Sequence, residues 1–136
     1  MPNQPEEGRL TKVDPKLQTY LDAWRRRAQQ ERAAIRRHRR RAKAMALRLA
    51  ALLQKEFGAR TVFLFGSTAT GHHYDLHSDI DLAAEGIPPE RELAATARIT
   101  GFAAPEFAVD LLTLEHCPDL LRQRVEEEGV LLAGNR

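Results

Sequence analysis

An apolar seam that repeats in steps of four and three residues runs along residues 17–52. Side chains at this spacing lie on one face of a helix. Asp14 and Pro15 are residue types preferred at a helix start, and Gly58 is a typical helix stop. The sequence therefore predicts a helical segment over residues 15–57, about 60 Å long if unbroken and so longer than a small domain is wide. The seam consists of Leu17, Leu21, Trp24, Ala28, Ile35, Ala42, Met45, Leu49 and Leu52.

The charged residues divide the chain into a basic segment and an acidic remainder. Residues 25–48 carry eleven Lys or Arg and one acid, Glu31, whereas the rest carries ten basic and eighteen acidic residues. A uniformly basic nucleic-acid-binding protein would not show this division. Arginines flank the seam on both sides, so a homodimeric coiled coil would set Arg against Arg and is disfavoured.

The basic flanks of the seam favour an acidic surface as their partner. The acidic remainder of the chain, another protein and a nucleic-acid backbone all have the required charge, and a solvated helix face is the alternative. Trp24 is the only aromatic residue along the seam. Base stacking therefore has little support, and direct nucleic-acid binding stays open.

After Gly58 the pattern changes to short strands and helices. Strands are predicted at residues 61–65, 79–84 and 107–114, with a short tail strand after Gly129. Helices are predicted at about residues 89–100, ended by Gly101, and from Pro118 through Glu128. The predicted organisation is a flexible N-terminus at 1–14, a long basic helical segment at 15–57 and a small domain at 58–136.

The cellular context expected from the sequence is the cytoplasm. The single cysteine, Cys117, cannot form an internal disulfide, which is typical of a reducing compartment. The first residues lack the apolar core of a signal peptide, and no apolar run has transmembrane length. No membrane association is therefore expected.

Three aspartates on predicted strands are the candidate catalytic residues. Asp79 and Asp81 lie two apart on one strand, so both side chains point to the same face. Asp110 lies in the middle of an apolar strand, where burial without a partner would cost several kcal/mol. If the two strands are neighbours, three carboxylates meet at one edge of the sheet and suit Mg²⁺. A chance Asp-x-Asp pair on an exposed strand and a paired core carboxylate are the alternatives.

A glycine and a serine directly follow the first strand. Gly66 lets a phosphate approach the backbone, and Ser67 adds a hydroxyl beside oriented N–H groups. Most Gly-Ser pairs after a strand are plain turns. The ordered series is a strand, Gly-Ser, an eleven-residue spacer that ends at Ser78, the Asp79–Asp81 pair, and a later strand aspartate. It is much more specific.

The segments FLFGS, SDIDL and VDLL, in this order, resemble the MNT (minimal nucleotidyltransferase) branch of the polymerase-β-like nucleotidyltransferase superfamily. The resemblance covers about residues 45–132. It implies an α+β fold, with a small mixed sheet flanked by helices and preceded here by the long basic N-terminal helix. It also implies a metal-dependent enzyme that transfers a nucleoside monophosphate from a triphosphate, with ATP as the expected substrate.

The same resemblance assigns roles to individual residues. Asp79 and Asp81 would hold two Mg²⁺ ions, with Mn²⁺ as an alternative, and Asp110 would complete the metal site and help deprotonate the acceptor hydroxyl. Gly66 and Ser67 would bind the β- and γ-phosphates. Two further residues, Thr68 and Ser78, complete the expected nucleotide-binding set.

Two features depart from the family pattern. One is the spacer after Gly-Ser, which is one residue longer than the ten usual in the antitoxin members, and the other is the set of residues that directly follow Gly-Ser. Family members commonly carry a basic residue just after Gly-Ser and often another two positions on, where this chain has Thr68 and Thr70. Threonine can donate a hydrogen bond to phosphate but cannot neutralise it, so weaker nucleotide affinity is expected. Three nearby histidines, at 72, 73 and 77, are predicted to be solvated loop residues that touch the nucleotide, with a zinc site as the less favoured alternative.

The resemblance also implies a partner. Similar MNT proteins often pair with a small helical HEPN-domain protein, and in toxin–antitoxin pairs the transferase is the antitoxin and adenylylates a hydroxyl of the toxin. The expected function is therefore AMP transfer from ATP to a partner protein within a hetero-oligomer. A non-catalytic module that neutralises its partner by contact, and nucleotidyl transfer to a small molecule or an RNA end, are the alternatives.

Overall fold

The computed structural model describes residues 14–135 of the chain. The predicted flexible N-terminus lies outside the described residues, except for Asp14. The described chain forms two compact units, with the boundary between Ala34 and Ile35. The predicted division at residues 14 and 57 stays a prediction.

The long helix α1 spans Pro15–Phe57, as the seam predicts. The Asp14 carboxylate accepts a hydrogen bond of 2.8 Å from the Lys16 N–H, which confirms the predicted N-cap. After Phe57 the chain turns at Gly58 in the left-handed region (φ 75°), and its N–H donates to the Gln54 carbonyl. Within residues 14–135, no helix combines the length and the apolar character needed to cross a bilayer.

The second unit contains a four-stranded mixed sheet in the order β3-β2-β1-β4. Strand β2 pairs with β1 antiparallel and with β3 parallel, and β1 pairs with β4 antiparallel. The strands span Thr61–Phe65 (β1), Ile80–Glu85 (β2), Val109–Thr113 (β3) and Val130–Ala133 (β4). The predicted strands are confirmed, including the short tail strand, with shifts of one or two residues at their ends.

Three further helices connect the strands. They are α2 (Gly66–Thr70), α3 (Glu92–Ala103, after a 3-10 turn at Pro89–Arg91) and α4 (Asp119–Glu128). A second 3-10 turn covers Leu114–His116.

The prediction that Gly101 ends the third helix is wrong. Gly101 is exposed inside α3, where an added methyl group would meet only open space. The helix continues by two residues because Ala103 is buried in the core. It ends at Ala103, because the next residue, Ala104, precedes Pro105 and is extended (ψ 151°), as residues before proline prefer to be.

Each face of the sheet packs against helices. On one face, Leu49 and Leu53 of α1 and Ile99 of α3 form a core with alternate strand residues such as Leu82. The other face carries a smaller cluster in which Val125 of α4 joins the second set of alternate strand residues. We call this second surface the α4 face. The smaller cluster consists of Phe63, Ala83, Leu114 and Val125.

Candidate active site

Two of the three predicted aspartates lie side by side on neighbouring strands. Asp81 of β2 is in register with Asp110 of the parallel strand β3. Asp81 shares a sheet face with Ala83, and Asp110 shares one with Leu112, because strand side chains alternate. Both of these neighbours belong to the cluster on the α4 face. The structure therefore brings Asp81 and Asp110 together on one side of the sheet.

The three carboxylates differ in exposure. Asp79, directly before β2, is exposed, whereas Asp81 is half-buried. Asp110 is exposed, which excludes the alternative of a paired core carboxylate. The reason is topological: β3 is an edge strand, and the position of Asp110 is open to solvent on the α4 face.

The proximity of like charges changes the acidity of the central carboxyl group. Burial is the largest cause that raises the pKa of Asp81 from its ordinary value of 3.8, followed by the negative charges of Asp110 and then Asp79; together they bring it to about 6. A group with this pKa is partly protonated near neutral pH in the absence of a cation. A positive charge bound beside it would favour its ionised form.

Gly66 brings the turn after β1 into direct contact with this carboxylate. Its backbone is in the left-handed region (φ 71°), and a methyl group at Gly66 would overlap the Asp81 Oδ2 atom. Both facts require glycine here. The predicted phosphate-binding turn and the predicted metal ligand are therefore adjacent.

The hydroxyl of Thr68 ties the same turn to the start of β2. Thr68 is fully buried, and its Oγ1 donates to the Asp79 carbonyl at 2.8 Å. Ser78 accepts a hydrogen bond of 2.9 Å from the Asp75 N–H, within the loop that leads to Asp79. Both hydroxyls thus have protein partners, and their predicted contact with a nucleotide stays a prediction. Ser67 is half-buried, and its carbonyl accepts the N–H of Gly71 at 2.7 Å.

A cavity of about 720 Å³ opens beside the turn. This volume is typical of sites for small-molecule ligands. Its wall includes Phe65, which is in register with Asp81, whereas Asp79, Asp81 and Asp110 are not among its lining residues. Other lining residues are Gly66, Thr70, His72, His73 and Arg124.

Helix α4 is the part of this site that sequence reasoning missed. Arg124 and its neighbours Leu121, Val125 and Glu128 form one wall of the cavity, opposite the turn and the histidines. Their spacing in steps of three and four marks one helix face, but nothing in the sequence indicates which face of the sheet that helix covers. Arg124 also forms an ion pair of 3.6 Å with Glu128, and both side chains are exposed.

The donor set fits a hard divalent cation in its chemistry. Carboxylate oxygens are preferred ligands of Mg²⁺, and burial together with the nearby charges of Asp110 and Asp79 raises the pKa of Asp81. Within residues 14–135, no three His, Cys, Asp or Glu side chains are already arranged as a metal site. The metal ions themselves stay a prediction.

The fold and the site together define a nucleotidyltransferase. The family described as "Polymerase beta, Nucleotidyltransferase" matches residues 48–136. The chain therefore belongs to the polymerase beta nucleotidyltransferase family, which confirms the family resemblance and the α+β fold class. A comparison with curated proteins gave no match.

Solved structures with a similar fold come from toxin–antitoxin systems. A toxin–antitoxin with AMP-PNP is 23% identical, with a TM-score of 0.55 over 66% of this chain and 74% of that chain. A mutant of the MntA–HpeT toxin–antitoxin is 26% identical, with a TM-score of 0.54 over 65% of this chain and 72% of that chain. The toxin–antitoxin MntA–HepT is 22% identical, with a TM-score of 0.52 over 68% of this chain and 73% of that chain. At these identities the likeness shows the fold.

The raised pKa of Asp81 predicts a loss of stability with rising pH. Between pH 3.8 and about 6 the folded state holds the Asp81 proton that the unfolded chain releases, so increasing pH favours unfolding in this window. We expect Asp81→Asn to remove this decline and to give a higher Tm than wild type at pH 7.5. The measurement is Tm from pH 3.5 to 8 in EDTA, with Glu127→Gln, an exposed carboxylate, as control. Superimposable curves for Asp81→Asn and wild type would contradict the account.

Alanine substitutions at two glycines, Gly66 in the turn and Gly101 in α3, test the geometry of the turn. Gly66→Ala should lower the free energy of unfolding by about 1–2 kcal/mol, because alanine is strained in the left-handed region, and should displace the Asp81 carboxylate. Gly101→Ala, in open space inside α3, should raise it by about 0.5–1 kcal/mol. Urea denaturation measures both changes. A Gly66→Ala protein as stable as wild type would show that the turn differs from the structure.

Proposed function

We propose that this protein transfers AMP from ATP to a hydroxyl group of a partner protein. The observation that carries the proposal is the pairing of Asp81 with Asp110 directly against the Gly66 turn. This arrangement gathers negative charge next to a backbone that can approach phosphate. A site of that kind is suited to a triphosphate accompanied by divalent cations.

We propose Asp79, Asp81 and Asp110 as the metal ligands. Two Mg²⁺ ions, or Mn²⁺ as an alternative, would neutralise charge on the attacking and leaving oxygens at the α-phosphorus. Asp81 is the natural central ligand, since it is half-buried and both other carboxylates act on its pKa. Asp79 and Asp110 are exposed and can turn toward it.

The exposed carboxylate of Asp110 is the proposed base. It would accept the proton of the acceptor hydroxyl while that oxygen forms a bond to the α-phosphorus. The bond from the α-phosphorus to the bridging oxygen breaks, and pyrophosphate leaves with the electron pair. Because Asp110 lies on an edge strand, an acceptor from another molecule can reach it.

The nucleotide is proposed to occupy the 720 Å³ cavity. Gly66 and Ser67 would bind the β- and γ-phosphates through the turn. The positive charge that Thr68 and Thr70 cannot supply would come from Arg124, which lines the cavity together with its ion-pair partner Glu128. Thr68 would act through its buried bond to Asp79, and Ser78 through the loop before it.

The partner is proposed to be a HEPN-domain toxin, with this chain as its antitoxin in a cytoplasmic hetero-oligomer. Support comes from the family resemblance and from the folds of toxin–antitoxin proteins, one of them with AMP-PNP. Residues 58–136 would carry the chemistry. The basic helical segment at 15–57 has the charge to contact an acidic partner surface.

One observation favours a second candidate function. Thr68 is buried and uncharged at a position where the family commonly has a basic residue, so the turn itself adds no charge to the site. A chain that binds nucleotide weakly could neutralise its partner by contact alone. In that case, variants of the aspartates would neutralise the partner as well as wild type does.

A label-transfer assay tests the proposed reaction. The protein is incubated with Mg²⁺, the product of the adjacent gene and ATP labelled at either the α- or the γ-phosphate. We expect transfer of the α-label and none of the γ-label. Asp79→Asn and Asp81→Asn should each reduce transfer by more than about a hundredfold, since even outer-shell partners of a metal contribute 10–100-fold.

Glu127→Gln serves as the matched control because it removes an exposed carboxylate on α4. It should transfer label at the wild-type rate. Absence of transfer by wild type, or full transfer by the double variant at Asp79 and Asp81, would exclude the proposed function. Full neutralisation of the partner by an inactive variant would establish the contact mechanism instead.

A further inference from the structure

One arginine of the long helix reaches the phosphate turn from outside the family-matched region. Within the second unit, Arg39 of α1 donates from Nε to the Thr68 carbonyl at 3.0 Å and from Nη2 to the Ala69 carbonyl at 2.9 Å. A single half-buried guanidinium thus binds two consecutive backbone carbonyls near the C-terminal end of α2. Hydrogen bonds from a charged donor are stronger than neutral ones, and a cation at a helix C-terminus is favourable.

The residue after α2 is shaped to accept this guanidinium. Gly71 is in the left-handed region (φ 79°), and a methyl group there would lie 2.9 Å from Arg39 Nη1 and 3.0 Å from Cζ. These distances are shorter than ordinary van der Waals contact, so the space that a side chain would fill is taken by the arginine. Gly71 is therefore needed both for its backbone and for the approach of Arg39.

The neighbouring residue of α1 holds the following loop. His38 Nδ1 forms a hydrogen bond of 2.6 Å with the hydroxyl of Tyr74, and the imidazole packs edge-on against Phe107. Tyr74 is buried in the loop between Gly71 and Asp79. Consecutive residues of α1 thus fix the turn and the loop that connect β1 to the aspartates.

The contacts of Arg39 lead directly to the candidate active site. Thr68, whose carbonyl Arg39 binds, also donates its hydroxyl to the Asp79 carbonyl. At its other end α2 begins at Gly66, against Asp81. The five residues of α2 are small and uncharged, so they offer few contacts of their own to hold the turn.

We propose that Arg39 is a positioning residue that holds residues 66–71 in the conformation that binds the nucleotide triphosphate. This inference rests on the proposed function, since it assigns the same turn to nucleotide binding. Arg39 acts through the turn rather than by contact with substrate. Arg39 lies nine residues before residue 48, where the family match begins. The basic helix thereby supports the nucleotide site from outside the matched region.

Nucleotide affinity of the full-length chain is the first test. Arg39→Gln should lower the fraction of molecules whose turn is in the nucleotide-binding conformation. If that fraction falls from nearly one to about a tenth, the apparent Kd for ATP with Mg²⁺ rises about tenfold. Arg39→Lys should lie between this variant and wild type, because an ammonium group keeps the charge but not the paired geometry. Arg40→Gln, at the next position and exposed, is the matched control and should bind as wild type does.

A double-mutant cycle with Gly71→Ala separates this role from general stabilisation. The methyl group should displace Arg39, so Gly71→Ala should weaken ATP binding less in the Arg39→Gln background than in wild type. If the two substitutions weaken ATP binding independently, so that the loss of affinity in the double variant equals the product of the single losses to within twofold, the proposal is overturned. An Arg39→Gln variant that binds ATP within twofold of wild type would also overturn it, as would an equal loss in Arg40→Gln.

Amide hydrogen exchange measured without nucleotide tests the role of Arg39 separately from the proposed function. The amides of residues 67–71 should exchange faster in Arg39→Gln than in Arg40→Gln, while those of β1 exchange at the wild-type rate. If wild type binds no ATP, the proposed function fails, and unchanged exchange in 67–71 would separately overturn the role of Arg39. If Arg39→Gln does not fold, the exchange and affinity of Arg39→Lys decide the question in the same way.

Discussion

Asp81 and Asp110 face each other across two neighbouring parallel strands, and the repulsion between their charges is the constraint on which the site depends. The parallel register of β2 and β3 fixes this proximity in the backbone, so side-chain motion alone relieves it only partly. Burial is the largest cause of the raised pKa of Asp81, and the charges of Asp110 and Asp79 add to it. A sheet that needed only stability would gain from an uncharged residue at either position. The arrangement makes sense where a cation is bound.

The surroundings of the pair are held by contacts from three separate parts of the chain. The turn after β1 reaches the Asp81 carboxylate because Gly66 has no side chain, and Thr68 ties that turn to Asp79. Helix α1 supplies Arg39 to the far end of the same turn, and α4 closes the cavity with Arg124. Arg39 is bound to the carbonyls of the turn, and Arg124 is paired with Glu128 on the cavity wall.

The sequence predicts the local elements because each has a periodic or stop signal of its own. It indicates the long helix, the strands and the shared face of Asp79 and Asp81. It does not indicate which strand lies at a sheet edge, so the exposure of Asp110 could not be predicted. The contact of His38 with Tyr74 cannot be predicted from the sequence, because the two residues are 36 positions apart along the chain. The hydrogen bonds of Arg39 to Thr68 and Ala69 also join residues that are far apart along the chain, so they could not be predicted either. Such contacts depend on how elements pack, which no local pattern records.

Anomalous diffraction from crystals grown with Mn²⁺ and a non-hydrolysable ATP analogue would test the central claim most directly. We predict two manganese peaks about 4 Å apart, both in contact with Asp81 and next to the Gly66 turn. The analogue should lie in the adjacent cavity, with Asp79 and Asp110 as the remaining protein ligands. Manganese bound elsewhere, or a nucleotide seated on the opposite face of the sheet, would contradict the account.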